Sequence, residues 1–308
     1  MTCRRLALVW MIVLLAGCAP VSAPSSNTEW SSGSDLDHAT SGSWIERLNR
    51  YRAIAGVPAV VEDRRLSAAD RAHARYLVKN FDDGVTDGAS AHFETPGRPG
   101  YTIEGDGAGR RSDVALRKVI LESPLSAAPD SVGDAAIDEW IAGPFHRLDL
   151  LDPSVTAVGW GSAREDDASA SVLEVRRGRS WHRHRTSPVM FPSDGATVPF
   201  GMYPGGEWPD PLAACGYNAP SGLPITIQFG PRTSLRVGDH SMTVDGDPIE
   251  HCAYVSPDGR AAVIVPRAPM IAGHRYAVSI DVNGGRYSWS FHIAPTTPAA
   301  TLSADASD

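Results

Sequence analysis

Trp140-Ile-Ala-Gly-Pro-Phe-His146-Arg147 decides how the first half of the chain is read. Just upstream, Ser131-Val-Gly-Asp134 has the form of a helix start, and Ala136, Ile137, Trp140 and Ile141 follow at the spacing of one helical face. Pro144 cannot donate a backbone hydrogen bond, so it closes that helix and presents Phe145 and His146 after the break. Toward the N-terminus the same spacing recurs twice. Trp44, Leu48, Tyr51 and Ala55 line one face of a helix over about 44 to 55, stopped by Gly56 and Pro58. Ser67-Ala-Ala-Asp70 has the capping-box form and opens a helix ending near Asn80, with Ala69, Ala72, His73, Tyr76 and Leu77 along its stripe. A weaker helical stretch lies between Ser112 and Glu122.

Beyond His146 the hydrophobic period changes. Val155 to Gly161 and Ser169 to Val175 are β-branched and glycine-bounded, as strands are. Helices enclosing a small sheet imply an α/β sandwich. Further on, short apolar runs at 224–229, 240–244, 261–265, 276–282 and 287–293 are separated by Gly, Pro and Asp clusters, which argues for a β-sandwich. Asn283-Gly284 between two alternating runs signals a hairpin, with Trp289 and Phe291 on one side of it.

Several separate patterns of the first half resemble one family. They are Trp44-Ile-Glu-Arg-Leu-Asn-Arg-Tyr-Arg52, Gly56-Val-Pro58, Leu66-Ser-Ala-Ala69, Ala72-His73-Ala74, a later His92, Trp140 to Arg147, and Leu151-Asp-Pro153. Together, over about Ser43 to Val175, they resemble the CAP superfamily of cysteine-rich secretory, antigen-five and pathogenesis-related proteins. The resemblance implies an α-β-α sandwich with a shallow cleft lined by two histidines and two acids. His92 and His146 match the histidines, and Asp106, in Gly105-Asp106-Gly107-Ala108, matches the first acid. The second acid is expected three residues after the helix tryptophan, where this chain has Gly143. Val189-Met-Phe-Pro-Ser-Asp-Gly195, Glu207-Trp-Pro-Asp-Pro-Leu212, Leu223-Pro-Ile-Thr-Ile227, Ala272-Gly-His-Arg-Tyr276 and Trp289-Ser-Phe291 resemble bacterial immunoglobulin-like domains. The expected fold is thus a CAP-like α-β-α sandwich followed by an all-β, immunoglobulin-like sandwich.

Two neutral imidazoles brought together bind a divalent ion such as zinc, with a carboxylate sharing the metal or orienting a ring. His92 and Glu94 are one residue apart and share a face if that segment is extended, so His92, Glu94, Asp106 and His146 form the expected cleft. His92 and His146 are the metal ligands of that reading, and Glu104, Asp138 and Glu139 are acids that stand near enough in sequence to substitute. His73, on an apolar helix stripe, reads as a hydrogen-bonded core or cleft-edge residue. No Gly-x-Ser-x-Gly or His-Glu-x-x-His accompanies these histidines, so any catalysis must rest on a metal and water. The reading leans to a non-enzymatic binding module for a lipid, glycan or envelope partner, with a metal-assisted hydrolase of peptide or envelope polymer as the alternative.

The N-terminus carries an export signal. Arg4 and Arg5 precede an apolar run from Leu6 to Leu15, too short to span a bilayer, and Leu15-Ala-Gly-Cys18 resembles the bacterial lipobox. That resemblance implies a lipid on Cys18, cleavage of residues 1–17, and a membrane partner reached through the anchor, outside the cytoplasm. Ala19 leaves outer-membrane or cell-surface placement favoured. Residues 18–42 are Ser- and Gly-rich and read as a tether, 43–176 as the CAP-like domain, 177–187 as a basic linker, 188–294 as the immunoglobulin-like sandwich, and 295–308 as a disordered tail.

Cys215 and Cys252 are the remaining cysteines of the exported part, an even pair that suggests one disulfide. A net charge of −8 argues against nucleic acid as a partner. Within this acidic chain Arg176 to Arg185 forms a basic run with Trp181, suited to anionic headgroups or else neutralised by Glu165, Asp166 and Asp167. Tyr203, Trp208 and Tyr217 lie in a proline-rich loop that either recognises a ligand or covers the sandwich edge.

Overall fold

A computed structural model describes residues 44–81, 88–118, 129–180, 188–230 and 234–295, all within one compact unit. The signal segment, Cys18, the tether, Trp181 and the tail after Pro295 lie outside the described residues.

Helix α1 (Trp44–Ile54) buries Leu48 and Tyr51, as its spacing requires, and ends at Gly56, whose φ of 64° only glycine adopts readily. Strand β1 (Val61–Glu62) leads into α2 (Arg64–Lys79). The cap of α2 is Asp63, whose carboxylate accepts from the N–H groups of Arg65 and Leu66, so the helix starts ahead of the expected Ser67 box. Ser67 and Asp70 are buried inside the helix and serve the sheet: Ser67 Oγ accepts from Trp160 N, while Asp70 accepts from Ser112 Oγ and, at 3.4 Å, from Glu174 N. Cap-type residues are equally good partners for a neighbouring strand, and tertiary contact decided between the two roles.

A short helix not anticipated from sequence, α3 (Ile103–Gly109), is capped by Thr102. Its glycines hid it, and two of them are required by packing, because a Cβ at Gly105 would run into Glu94 and one at Gly109 into His73. The expected helix after Ser112 is instead strand β2 (Ser112–Lys118). Its side chains alternate, with Val114 and Leu116 packing on one cluster and Ala115 in another, and pairing along β4 overrides a composition that suits a helix. Helix α4 (Pro129–Ala142) is followed directly by α5 (Pro144–Leu150). Pro144 therefore ends one helix and also starts the next, where its missing N–H is harmless.

Strands β3 (Ala157–Glu165) and β4 (Ala168–Glu174) complete a sheet of order β1-β3-β4-β2. Both faces of β4 are covered. Ala168, Ala170 and Val172 join the cluster with Ala74, Tyr76 and Leu77 of α2, while Leu173 joins Leu48 and Tyr51 of α1 and Ile137 and Trp140 of α4. That is the α-β-α layering expected from the sequence. Helix α2 lies so close to β3 that a Cβ at Gly161 would strike the backbone of Asp70 and Arg71.

The second half contains β5 (Val189–Phe191), β6 (Thr197–Val198), β7 (Met202–Tyr203), β8 (Ser221–Gly222), β9 (Ile225–Gln228), β10 (Val237–Val244), β11 (Asp247–Pro248), β12 (His251–Val255), β13 (Ala261–Pro266), β14 (Arg275–Val282) and β15 (Gly285–Ile293). They form sheets of order β11-β10-β14-β15-β6 and β12-β13-β9-β5, with β7-β8 as a separate ribbon. Asn283 and Gly284 both have positive φ, 52° and 80°, which is the turn the hairpin needs. Trp289 and Phe291 are both buried beside it, and a Cys215–Cys252 disulfide is present.

The basic stretch is not free from its start at 177. Gly178 O accepts from Thr156 N, and Ser180 N donates to Ser154 O, so these residues lie on the first half. The acids that meet its arginines are also different from those expected: Arg177 pairs with Glu174, and Arg176 and Arg179 with Asp149. The halves share one apolar cluster, in which Tyr51 meets Phe191 edge-on at 6.4 Å. Arg147 on α5, fully buried, joins them. Its guanidinium donates to Ile141 O and Ala142 O at the α4–α5 corner and to Pro224 O across the boundary, and it stacks over Phe191 at 4.7 Å. Burial lowers its pKa from 12.5 to about 9, which still leaves it charged at neutral pH.

Replacing Arg147 with Met strands three buried carbonyls at about 1 kcal/mol or more each. The expected result is a loss of about 3 kcal/mol and one shared unfolding transition, read as coincident urea curves from fluorescence of the two halves. Two separated transitions in the native chain would contradict the shared core.

Candidate functional site

The four side chains singled out in the sequence do not assemble as one ligand set. His92 ends a 3-10 turn, Gly88–His92, so the two-residue alternation with Glu94 fails there. Glu94 is buried against His73, with Oε1 at 3.0 Å from Nδ1, and its Oε2 accepts from Thr102 N. The other ring nitrogen of His73 faces Ala91 O at 2.8 Å. His73 is thus a core histidine tying α2 to the segment before α3. Asp106 accepts from Glu94 N and pairs with Arg110, whose hydrogen bonds hold its carboxyl below the usual range. Among the described residues no group of three or more His, Cys, Asp or Glu side chains is arranged to hold a metal ion.

What the structure does build is centred on His146. Its Nδ1 lies 2.6 Å from Asp113 Oδ1, on β2, and its Nε2 lies 4.0 Å from Glu207 Oε1. Neither acid was picked out in the sequence. Asp113 sat inside the segment misread as helix, and Glu207 lies 61 residues further along the chain. Glu207 Oε1 also accepts from Phe145 N and His146 N. These are early N–H groups of α5, whose own cap position, Gly143, has no side chain to serve them. Trp140 tilts against the His146 ring at 6.5 Å.

Burial alone would lower the His146 pKa, but the hydrogen bond and charge of Asp113, with the charges of Glu207 and Glu139, outweigh it and raise the ring to about 9. Burial raises the carboxyls of Asp113 and Glu207, and both are pulled back by His146. Asp113 Oδ2, Glu207 Oε2 and Trp140 Nε1 are buried with no hydrogen-bond partner among the described residues. His92 behaves differently. Its Nδ1 donates to Gly109 O, and burial lowers its pKa, so the ring is neutral with Nε2 as the acceptor edge. His92 and His146 each feel the charge of Asp113, so both histidines belong to one electrostatic neighbourhood.

A model of the family described as "CAP: Cysteine-rich secretory protein family" matches residues 45–175, the stretch that forms this layered half with His92 and His146. Residues 45–175 are a CAP domain. The β-rich region that follows the CAP domain is consistent with an immunoglobulin-like domain. Among solved structures, an extracellular protein containing an SCP domain from Bacillus anthracis is 16% identical with a TM-score of 0.27, over 43% of this chain and 39% of that one. A twitchin kinase fragment from C. elegans with immunoglobulin domains is 10% identical with a TM-score of 0.19, over 37% of this chain and 20% of that one. The chain therefore spans well under half the length of either. No curated protein sequence matches. No helix among the described residues is long and apolar enough to cross a membrane.

A ring whose folded pKa is about 9 against about 6.5 unfolded stabilises fully below about pH 6.5 and loses that contribution as pH rises through 9. The unfolding free energy from urea curves should therefore fall between about pH 6.5 and 9, by at most about 3 kcal/mol for a side chain that keeps 21% exposure. His146→Asn should flatten that slope; an unchanged slope in the variant would remove His146 as its source.

Proposed function

We propose that this protein is a non-enzymatic binding module, exported, anchored through Cys18, and presenting its CAP domain to the cell envelope. The reading rests on one observation: the His146 ring lies between two acids, with Nδ1 2.6 Å from Asp113 Oδ1 and Nε2 4.0 Å from Glu207 Oε1, which raise its pKa to about 9 and leave it a poor base at neutral pH. The remaining candidates have structural partners, Glu94 with His73 and Asp106 with Arg110. His92 alone keeps an acceptor edge, suited to a hydroxyl or amide hydrogen of a lipid headgroup, glycan or envelope peptide. The lipobox places such a partner within reach, and the C-terminal sandwich extends the module.

The full-length chain should sediment with phospholipid vesicles or with purified cell-wall sacculi, and His92→Ala should weaken that binding several-fold. With added zinc, neither sacculi nor a casein substrate should be cleaved. Zinc-dependent cleavage lost in both His92→Ala and His146→Ala would overturn the reading in favour of a metal-assisted hydrolase.

A further inference from the structure

Gly143 and Glu207 fit each other in a way that neither half explains alone. The backbone at Gly143, with φ −73° and ψ 127°, suits any residue, so conformation does not demand glycine there. Space does. A Cβ at 143 would lie 2.8 Å from both Cδ and Oε1 of Glu207. The Glu207 carboxylate thus stands where a side chain from 143 would begin. It is 3% exposed, accepts two N–H groups of α5, and keeps Oε2 buried without a partner among the described residues.

Its approach is built into the second half. Gly205 and Gly206, at φ 98° and 99°, turn the chain, and Glu207 N donates to the buried Tyr203 hydroxyl. The next residue, Trp208, lies over Gly88 at the start of the turn that carries His92. The loop between Tyr203 and Pro209 therefore meets the CAP domain at Gly88 and at Gly143.

We propose that Glu207 is the second carboxylate of the His146 site, a positioning residue that holds the ring at its Nε2 edge from the space left by Gly143. Asp113 holds the Nδ1 edge, so the ring is fixed by one acid from each half. The site is then composite, complete only when the β-sandwich is docked on the CAP domain. This is independent of which envelope partner is bound. The other charged groups near these residues are Glu139 on α4, Arg147 and Asp149 on α5, and His92. The ion pair at the Nε2 edge is with Glu207, at 4.0 Å.

The test is an NMR titration of the His146 ring in the full-length chain, with thermal unfolding measured alongside. Glu207→Gln keeps the shape and an acceptor for Phe145 N and His146 N but removes the charge, so the His146 pKa should fall by about one pH unit while the fold is kept. Gly143→Glu alone should lower Tm, because two carboxylates compete for one space. The pair Gly143→Glu with Glu207→Ala should restore both Tm and the His146 pKa beyond what the two single changes predict by addition. A Glu207→Gln chain that titrates like the native one overturns the proposal, as does a double variant no better than the sum of its parts. Should Glu207→Ala fail to fold, the Glu207→Gln titration decides.

Discussion

Two buried charges cross the boundary between the halves in opposite directions, and the rest of the arrangement depends on them. Arg147 leaves the CAP domain and donates to Pro224 O at the foot of β9, while Glu207 leaves the sandwich and accepts from α5. Taking a guanidinium or a carboxylate out of water is costly unless its hydrogen-bonding capacity is met on arrival. Arg147 meets that condition with carbonyls and an aromatic face; Glu207 meets it at Oε1 alone, with two N–H groups and the nearby ring of His146, while Oε2 has no hydrogen-bond partner among the described residues. If the halves separate, Arg147 loses Pro224 O and the Phe191 face, and Glu207 loses both N–H groups and His146. One apolar cluster, holding Leu48 and Tyr51 together with Phe191 and Phe291, runs across the same boundary.

The same contacts shape the chemistry around His92 and His146. A histidine pair in one electrostatic neighbourhood would ordinarily compete for a proton, and here the environment separates the two. His146, beside Asp113 and Glu207, keeps its proton, whereas His92, half-buried and bonded to a carbonyl, stays neutral. The result is one protonated ring and one neutral acceptor edge within a single electrostatic neighbourhood. A general base needs to exchange its proton near the working pH.

Much of the scaffold was legible because its signals are local. The spacing of Leu48, Tyr51 and Ala55 on α1, of Ile137, Trp140 and Ile141 on α4, and the Asn283-Gly284 turn each report a short segment's own preference. The failures also share a cause. Ser112–Lys118 and the Ser67 box were read from local propensity, and long-range partners, β4 for the first and Trp160 for the second, overrode it. Helix α3 was invisible because its glycines are demanded by Glu94 and His73, residues that lie outside it.

From sequence alone came the expectation of an export signal and of a lipobox at Cys18, the family resemblance with its two histidines, the even cysteine pair, and the absence of an acid at position 143. All of these are properties of residue type and near-neighbour spacing. Only the tertiary structure decided which acids face those histidines, because Asp113 and Glu207 reach His146 from 33 and 61 residues away. A contact at that separation leaves no periodic trace in the chain. It exists because an α-β-α layer and a β-sandwich bury one common core, and that packing delivers a carboxylate from the second half into the gap a glycine leaves in the first.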